Sequence, residues 1–516
     1  MSFNTEQIVQ EIRAGFESMM LLVQDGKNAT ADEIERDVFR QVLDLGGQLM
    51  QLFFALRSEA CLRTPITLED GTELPYWCDK QRIYYSIFGK LRVMRPYFYA
   101  ADKGSASPLD AELSLGADCY SDLLRELVEY LGTDVTYEKT SGFFQRVLGH
   151  SLSTYTVQKL MADDAADVEA YYQQKPAPEP INEAAILVAQ ADGKGVPMVR
   201  ETPVEATVRL SKGQKRAKKK EAVVTTAYTI APHIRTPEQV VASFFGQDEA
   251  SDPLPSQRSK PQNKQIWATL DGKDAALQRL ARLIALRDGA HIEARIALTD
   301  GCEALQQRVQ HYLPGFTLIL DFIHANEYLW KAANSLFGEQ APQRNPWVKQ
   351  QTLAILSGQT EQVIADLRAL AQQAQCTKVQ REALETAANY FQRNLTFMRY
   401  HDYLAHGWPI ASGVIEGACR HLVKDRCELS GMRWSQPGAE HLLRLRAVAE
   451  NGDWDHYHQF RKQQRHQRLY NSCSQHRRTP EEQALDRASS SGKIIKFQQA
   501  VQNRHQPKDQ KQRLAA

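Results

Sequence analysis

No Cys-x-x-Cys pair occurs anywhere in this 516-residue sequence. The eight cysteines stand apart, at Cys61, Cys78, Cys119, Cys302, Cys376, Cys419, Cys427 and Cys473. That scatter excludes the usual zinc ribbon and any disulfide framework, and free thiols in a reducing compartment are expected. No apolar run is long enough to span a bilayer, and the opening Met1-Ser2-Phe3-Asn4-Thr5-Glu6 lacks the charged-then-apolar layout of a signal peptide. A cytoplasmic protein with no membrane partner is the expectation. Internal repeats are absent. So is a large net charge: 63 Lys and Arg against 62 Asp and Glu leave +1. The chain as a whole is not a polyanion binder by charge alone.

What is present is a soluble globular composition, 42% hydrophobic and 24% charged, on a chain long enough for about three domains. The charge is segregated. Basic clusters run from Arg209 to Lys220 (with Lys215, Lys218 and Lys219), from Arg420 to Arg446 and from Arg461 to Arg513. The N-terminal helices and the stretch around Asp248, Glu249 and Asp252 are acidic. Balanced totals with separate basic patches suit a protein that meets nucleic acid on chosen faces.

Ile8, Ile12, Phe16, Met19 and Val23 recur at helical spacing, and Thr30 with Glu33 forms a capping box for a second helix carrying Ile34, Val38, Leu45, Leu52 and Phe53. This pair reads as a helical hairpin whose apolar side meets either its own chain or a second copy. The period then changes to two: Tyr84–Phe88 and Leu91–Arg95 read as a β-hairpin turning at Gly89-Lys90. Helices follow near 109–131, 137–147 and 153–173. The stretch from Thr136 to Ser153 resembles helix-turn-helix. Ser153 caps a helix whose first turn offers Thr154, Tyr155 and Lys159 to a DNA groove; an ordinary pair of packed helices reads equally well. Lys175–Pro180 is a stiff linker. Then come the apolar run Ile186–Ala191, ending at Asp192-Gly193, and the strand Ala222–Tyr228. A helix at 272–287, the strand Ile292–Thr299 ending at Asp300-Gly301, a helix at 302–312 and the strand Phe316–Leu320 ending at Asp321 complete the region. Its order is strand, strand pair, helix, strand, helix, strand. Residues 325–405 read as helical throughout, Pro409 breaks them, and Ser412 caps a helix carrying Glu416. From about 452 the chain reads as a loose basic tail with one short apolar segment, Ile494–Phe497.

An uninterrupted apolar strand is buried on both faces, so an acid at its end sits on a rigid element at the rim of a core. Asp-Gly is also the commonest turn dipeptide, and one copy means little. Two such acids on adjacent strands, with Glu416 on a helix over the same edge, would suit two divalent ions with oxygen ligands, Mg²⁺ or Mn²⁺. Paired carboxylates also serve metal-free glycoside hydrolysis, which leaves the basic patches unexplained.

The words Gln190-Ala191-Asp192-Gly193-Lys194, Leu298-Thr299-Asp300-Gly301 and Leu320-Asp321-Phe322-Ile323-His324 carry a resemblance. So, above all, does Ser412-Gly413-Val414-Ile415-Glu416-Gly417, continuing through Lys424-Asp425-Arg426-Cys427 to Gly431-Met432-Arg433-Trp434-Ser435. From about residue 80 to 450 the chain resembles bacterial insertion-sequence DDE transposases with an RNase H-like core, most closely the Kra-type group. The resemblance implies a DNA transposase that cleaves transposon ends and joins the freed 3′-hydroxyl to target DNA. Its partners would be terminal inverted repeats, target DNA and at least one further copy of itself, on the nucleoid. It implies Asp192 as first carboxylate, Glu416 as third, and two Mg²⁺ or Mn²⁺ ions. Strand counting favours Asp300 as second, with Asp321 and His324 matching an Asp/Cys-x-x-His element behind the metals; the reverse assignment stays open. His324 reads equally as a ligand or as a buried histidine bonded to backbone. Arg420, Lys424 and Arg426 read as phosphate contacts, 420 and 424 sharing a helix face with 416, or as a solvated face. Arg433 and Trp434 follow a glycine turn, and Trp434 either stacks on a displaced base or packs in a core. Relatives often carry a zinc ribbon at the hairpin; Tyr97–Gly104 has no cysteine pair, so no zinc is expected.

The implied architecture is multidomain, α/β plus all-α. It comprises N-terminal helices (1–60), a β-hairpin region (61–107) and a helix-turn-helix-like region (108–175). An RNase H-like mixed-sheet core (181–324) is split from its Glu helix (409–450) by a helical insertion (325–408), and a basic tail (451–516) follows. Two other readings compete: a sequence-specific DNA-binding protein whose catalytic site has decayed, and a structure-selective nuclease that never joins strands.

Overall fold

The computed structural model describes residues 5–68, 71–199, 219–246, 259–429 and 431–471. Lys215, Lys218, the acidic stretch at 248–252 and the Ile494–Phe497 segment lie outside them. The chain divides into two compact units, Met1–Asp122 with Lys462–Ala516, and Leu123–Arg461. Among the described residues no helix is long and apolar enough to cross a membrane.

In the first unit α1 (Thr5–Asp25) and α2 (Ala31–Ala60) form the expected hairpin, with Thr30 and Glu33 closing the capping box. The strands β1 (Tyr76–Ser86), β2 (Gly89–Ala100) and β3 (Gly104–Ala106) form an antiparallel sheet. The hairpin turn is Ile87-Phe88, not Gly89-Lys90: Ser86 pairs with Gly89, and the Ser86 hydroxyl accepts from the Phe88 N–H at 3.1 Å. The Phe88 ring fills the space over Gly46, where a Cβ would come within 2.5 Å of it. Gly89 closes the turn at φ +101°, and Phe88 seats it against α2. Phe54, Leu91 and Val93 form the core between helix and sheet.

The second unit begins with helices α3 (Asp122–Asp134), α4 (Tyr137–Leu148), α5 (Thr154–Ala165) and α6 (Val168–Gln174). Thr136 and Ser153 cap α4 and α5, and Gly149 at φ +70° ends α4. A five-stranded mixed sheet follows. Its strands are β4 (Ile186–Pro197), β5 (Lys219–Ile230), β6 (Gln262–Thr269), β7 (Ala294–Thr299) and β8 (Thr317–Leu320). The order is β8-β7-β4-β5-β6, the β4–β5–β6 side antiparallel and the β4–β7–β8 side parallel. Helix α7 (Pro237–Phe245), capped by Thr236, had no counterpart in the sequence reading.

Alternation along β4 sorts the two faces. Leu187, Ala189 and Ala191 pack with α8 (Lys273–Arg287) and α9 (Glu303–Tyr312). Ile186 and Val188 pack with α10 (Phe322–Phe337), α11 (Arg344–Leu356), α12 (Thr360–Ala371) and α13 (Lys378–Asn394). Period-two alternation puts Gln190 and Asp192 on this second face. Helices α14 (Gly413–Ala418), α15 (Gln436–Glu450) and α16 (Trp454–His466) complete the described chain.

Three expectations need correction. Asp192 does not end its strand: β4 runs on to Pro197 against β5, with Asp192 opposite Val224. Gly193 and Gly195 are strand residues, not a turn; Glu221 and Lys219 of β5 lie over them, where a Cβ would crowd their side chains. Ser412 does not cap α14 through its side chain. And the region after 452 is helical as far as residue 471, with Tyr457, His458 and Arg461 buried.

After α14 the helix widens into a π-helix over Cys419–Lys424. Such a turn leaves carbonyls out of the ordinary ladder. Buried Arg446 supplies their donors. Its guanidinium bonds the Leu422 carbonyl at 3.0 Å and the His421 carbonyl, and also reaches the Thr133 carbonyl at 2.6 Å and the Asp134 carboxylate at 2.9 Å. Replacing Arg446 with Leu orphans these acceptors, and should lower stability by ~3 kcal/mol or more. Chemical denaturation followed by circular dichroism checks it.

Candidate active site

The sheet register does the first part of the assembly. Gln190 of β4 lies level with Leu298 of β7, and Thr299 of β7 with Leu320 of β8. Counting on by two residues and by one, Asp192, Asp300 and Asp321 stand level on three neighbouring strands, just past the end of parallel pairing. Adjacent strands run ~4.8 Å apart, so the three acids share one edge.

Each is held differently. Asp192 is half-buried; its Oδ1 accepts from the Gly193 N–H at 2.6 Å and its Oδ2 from the Cys419 thiol at 3.3 Å. Burial pushes its carboxyl above the ordinary range, and the charge of Asp300 adds to the rise. Asp300 sits in a turn that α13 braces. Its Oδ1 accepts from the Cys302 N–H at 2.9 Å, the Tyr390 hydroxyl donates to its carbonyl at 2.8 Å, and Arg393 donates to the Gly301 carbonyl at 3.0 Å. Gly301 has φ +87°, and a Cβ there would meet the Tyr390 hydroxyl at 2.5 Å. The turn therefore demands glycine twice over, for conformation and for space.

Asp321 is fully buried and has both oxygens engaged. Oδ1 caps α10 through the Ile323 N–H at 2.6 Å, and Oδ2 accepts from the Ser412 N–H at 3.0 Å. His324, one turn along α10, places Nδ1 3.4 Å from Asp321 Oδ2. That carboxylate, outweighing the cost of partial burial, raises the imidazole to about 9.

Glu416 reaches the same place on α14, which is tied to the sheet edge at two points. The Ile415 N–H donates to Gln190 Oε1 at 2.9 Å, and Gln190 in turn donates to the Tyr228 hydroxyl at 3.2 Å. The Asp321–Ser412 bond is the second tie. Ligand atoms of Asp321, His324 and Glu416 lie within 4.8 Å of one another, and Asp192 and Asp300 both act electrostatically on the same cluster. Asp321, His324 and Glu416 thus form the close group, and Asp192 and Asp300 stand level with Asp321 on the same sheet edge without entering it. Gln190, Cys419, Tyr390 and Arg393 support them and were missed as such. Only Gln190, a polar residue inside an apolar strand, carried a local signal.

The expected DNA-contacting residues separate into two groups. Arg420, Lys424 and Arg433 are exposed, as are Thr154, Tyr155 and Lys159. Glu416, Arg420 and Lys424 are all exposed, while Ala418, Cys419, Leu422 and Val423 between them are buried; Arg420 approaches Asp425 at 3.7 Å. Lys219 pairs with Glu428 at 2.5 Å. Arg426 is fully buried, its guanidinium 5.2 Å from the Tyr137 ring and 5.1 Å from the Trp434 ring, and donates to the Gly132 carbonyl. Burial presses its pKa down. A cation enclosed in this way cannot meet a phosphate as placed. Trp434 is 7% exposed, donates its indole N–H to the Cys427 carbonyl at 3.2 Å and stands edge-on to Tyr137. Its backbone exchanges bonds with Pro197 and Val199, extending the far end of β4.

The acids and His324 make an oxygen-rich donor set open on the Glu416 side, which fits hard divalent cations. No protein-family model matches the chain, and no curated protein matches it. Among solved structures it is similar to a chain of the Drosophila P element transposase strand transfer complex. The identity is 9%, over 66% of this chain and 80% of that one, with a TM-score of 0.22. A likeness this slight adds nothing to the geometry.

Trp434→Ala should cost about 3–5 kcal/mol of stability, as for other buried aromatics, measured by urea unfolding; an undiminished midpoint would return Trp434 to the base-stacking reading. The His324–Asp321 pair sets a pH dependence. Because the folded pKa is raised from 6.5 to about 9, its stabilisation is complete below pH 6.5 and lost as pH rises through 9. The Tm of metal-free protein should fall over that window, and the His324→Gln variant should lose this component of the fall.

Proposed function

We propose that this chain is a DNA transposase of the RNase H-like DDE kind, cutting transposon ends and joining the 3′-hydroxyl to target DNA. The observation that supports it is the level placement of Asp192 and Asp300 on adjacent parallel strands, with Glu416 drawn over the same edge. The strand order, three antiparallel strands followed by two parallel ones joined through helices, supports the RNase H-like reading. Helices α10–α13, with a short helix at Tyr400–Ala405, stand between the last strand and the Glu helix as an insertion would.

Asp192, Asp300 and Glu416 would hold the divalent ions. Such a pair, when bound, activates the attacking oxygen and stabilises the leaving one. The protein's own contribution is placement. Gly193 and Cys419 fix the plane of the Asp192 carboxylate, and Tyr390 and Arg393 fix the turn that presents Asp300. Asp321 is a positioning residue in this reading, since both its oxygens accept from backbone N–H groups; its ligand atom nonetheless lies within 4.8 Å of those of His324 and Glu416, so the reverse assignment is part of the test. It joins the end of β8 to the start of the Glu helix. Protonated His324 offsets part of the negative charge gathered at the edge before ions enter. Exposed Arg420, Lys424 and Arg433 surround this region of the chain and suit backbone phosphate contacts, which carry affinity rather than sequence reading. The exposed first turn of α5 is the element for reading a groove.

The test uses labelled end DNA with Mg²⁺ and a supercoiled target. Wild type should nick the ends and attach them covalently to target. Asp192→Ala, Asp300→Ala and Glu416→Ala should abolish nicking while gel-shift binding persists, and Asp321→Asn should slow it ~10- to 100-fold, as loss of a supporting partner does. If Asp321→Ala abolished nicking and Asp300→Ala did not, the second carboxylate would be Asp321. Nicking without joining would make the protein a nuclease.

A further inference from the structure

The helical stretch α3–α5 is fastened to the acid edge at one corner. Helix α3 ends and α4 begins at residues 132–137, and the carbonyls of a helix's last turn have no partner within the helix. Two arginines from beyond Glu416 fill them. Arg426 Nε donates to the Gly132 carbonyl at 3.2 Å, and Arg446 Nη1 to the Thr133 carbonyl at 2.6 Å and to Asp134 Oδ1 at 2.9 Å. Cations at this end also suit the helix dipole. Helix α5 closes the corner from behind: a Cβ on Gly132 would meet Met161 Sδ at 3.0 Å.

Two routes run from this corner to Asp192. The first is Arg446. The same guanidinium that grips Thr133 and Asp134 holds the His421 and Leu422 carbonyls of the π-turn, with Glu450 beside it at 3.7 Å. Two residues before His421 the π-turn presents Cys419, which is buried and donates its thiol to Asp192 Oδ2. The second route is Trp434, edge-on to Tyr137 at the start of α4. Its N–H donates to the Pro197 carbonyl and its carbonyl accepts from the Val199 N–H. It thereby holds the far end of the strand on which Asp192 sits. Arg426 lies beside both rings.

We infer that the α3–α4 corner anchors the acid edge, and that Arg446 is a positioning residue for Asp192, tying the π-turn and its Cys419 thiol to the helical region. The division of its donors argues against a purely local role. A cation needed only for the π-turn carbonyls has no use for Thr133 and Asp134, and Asp134, with its side chain 69% exposed, has water as an alternative partner. The helical region is then a working part of the acid edge rather than an attachment to it. The link stands on these contacts; its catalytic meaning rests on the transposase reading.

The test reads the Cys419 thiol directly, by iodoacetamide alkylation and peptide mass mapping on the full folded chain. Burial and the Asp192 charge push this thiol far above its ordinary range, so in place it reacts slowly. Arg446→Lys cannot fork to both elements. It should raise Cys419 labelling about tenfold, with Cys302 unchanged as the internal reference. It should also lower kcat for end nicking about tenfold without moving KM. Asp134→Ala covers the case in which Arg446→Lys does not fold. At an exposed position it should keep the wild-type Tm and helicity and still raise Cys419 labelling roughly threefold. Cys419 labelled at the wild-type rate in folded variants overturns the proposal. A wild type that never nicks, with faster Cys419 labelling in the variants, removes the transposase reading and leaves the anchor standing.

Discussion

Register is the constraint on which the rest of the molecule depends. A parallel ladder fixes which residues of neighbouring strands stand level, and here it stops with three acids side by side. Like charges so placed repel one another, and burial adds a further cost, visible in the raised carboxyl of Asp192. The fold offsets this with donors aimed at each group: backbone N–H groups at all three, a thiol at Asp192 and an imidazolium at Asp321. Asp321 is withdrawn from solvent and Asp192 and Asp300 partly so, in a geometry they would not adopt alone.

The fourth acid reaches that edge through backbone rather than side-chain chemistry. The Ser412 and Ile415 N–H groups at the start of the helix reach Asp321 Oδ2 and Gln190 Oε1, the Ile415 N–H being shared with the Ser412 carbonyl. A helix start can be docked in this way only if the sheet presents acceptors at the right height, and both acceptors lie on the face that carries α10–α13. The π-turn behind Glu416 then carries Cys419 to Asp192, and Arg446 satisfies the carbonyls that such a turn leaves over.

Much of this was legible in the sequence. Solid apolar runs ending in acids gave the strands β4, β7 and β8, because parallel strands buried on both faces have no alternation to hide. The capping residues Thr30 and Ser153 gave two helix starts within a residue. What failed was information that is not local. Asp-Gly at 192 looks like a turn, yet β5 is long enough to keep β4 extended through Gly195. Gly89 looks like the first residue of a hairpin turn, yet it closes one that Phe88 seats against Gly46. Arg426 looks like a surface cation, yet Tyr137 and Trp434 enclose it from elements far away in the chain. The π-helix has no sequence signature at all.

The bracing of the Asp300 turn by Tyr390 and Arg393 has a temporal consequence. During synthesis the segment bearing Asp192 and Asp300 leaves the ribosome long before residues 390–416 exist. Its turn has no hydroxyl to lean on, and its edge has no glutamate. Contacts spanning such distances along a chain form late. A nascent or truncated polypeptide therefore carries its acids unassembled, and competence arrives only when the distal half has been made and has closed over the sheet.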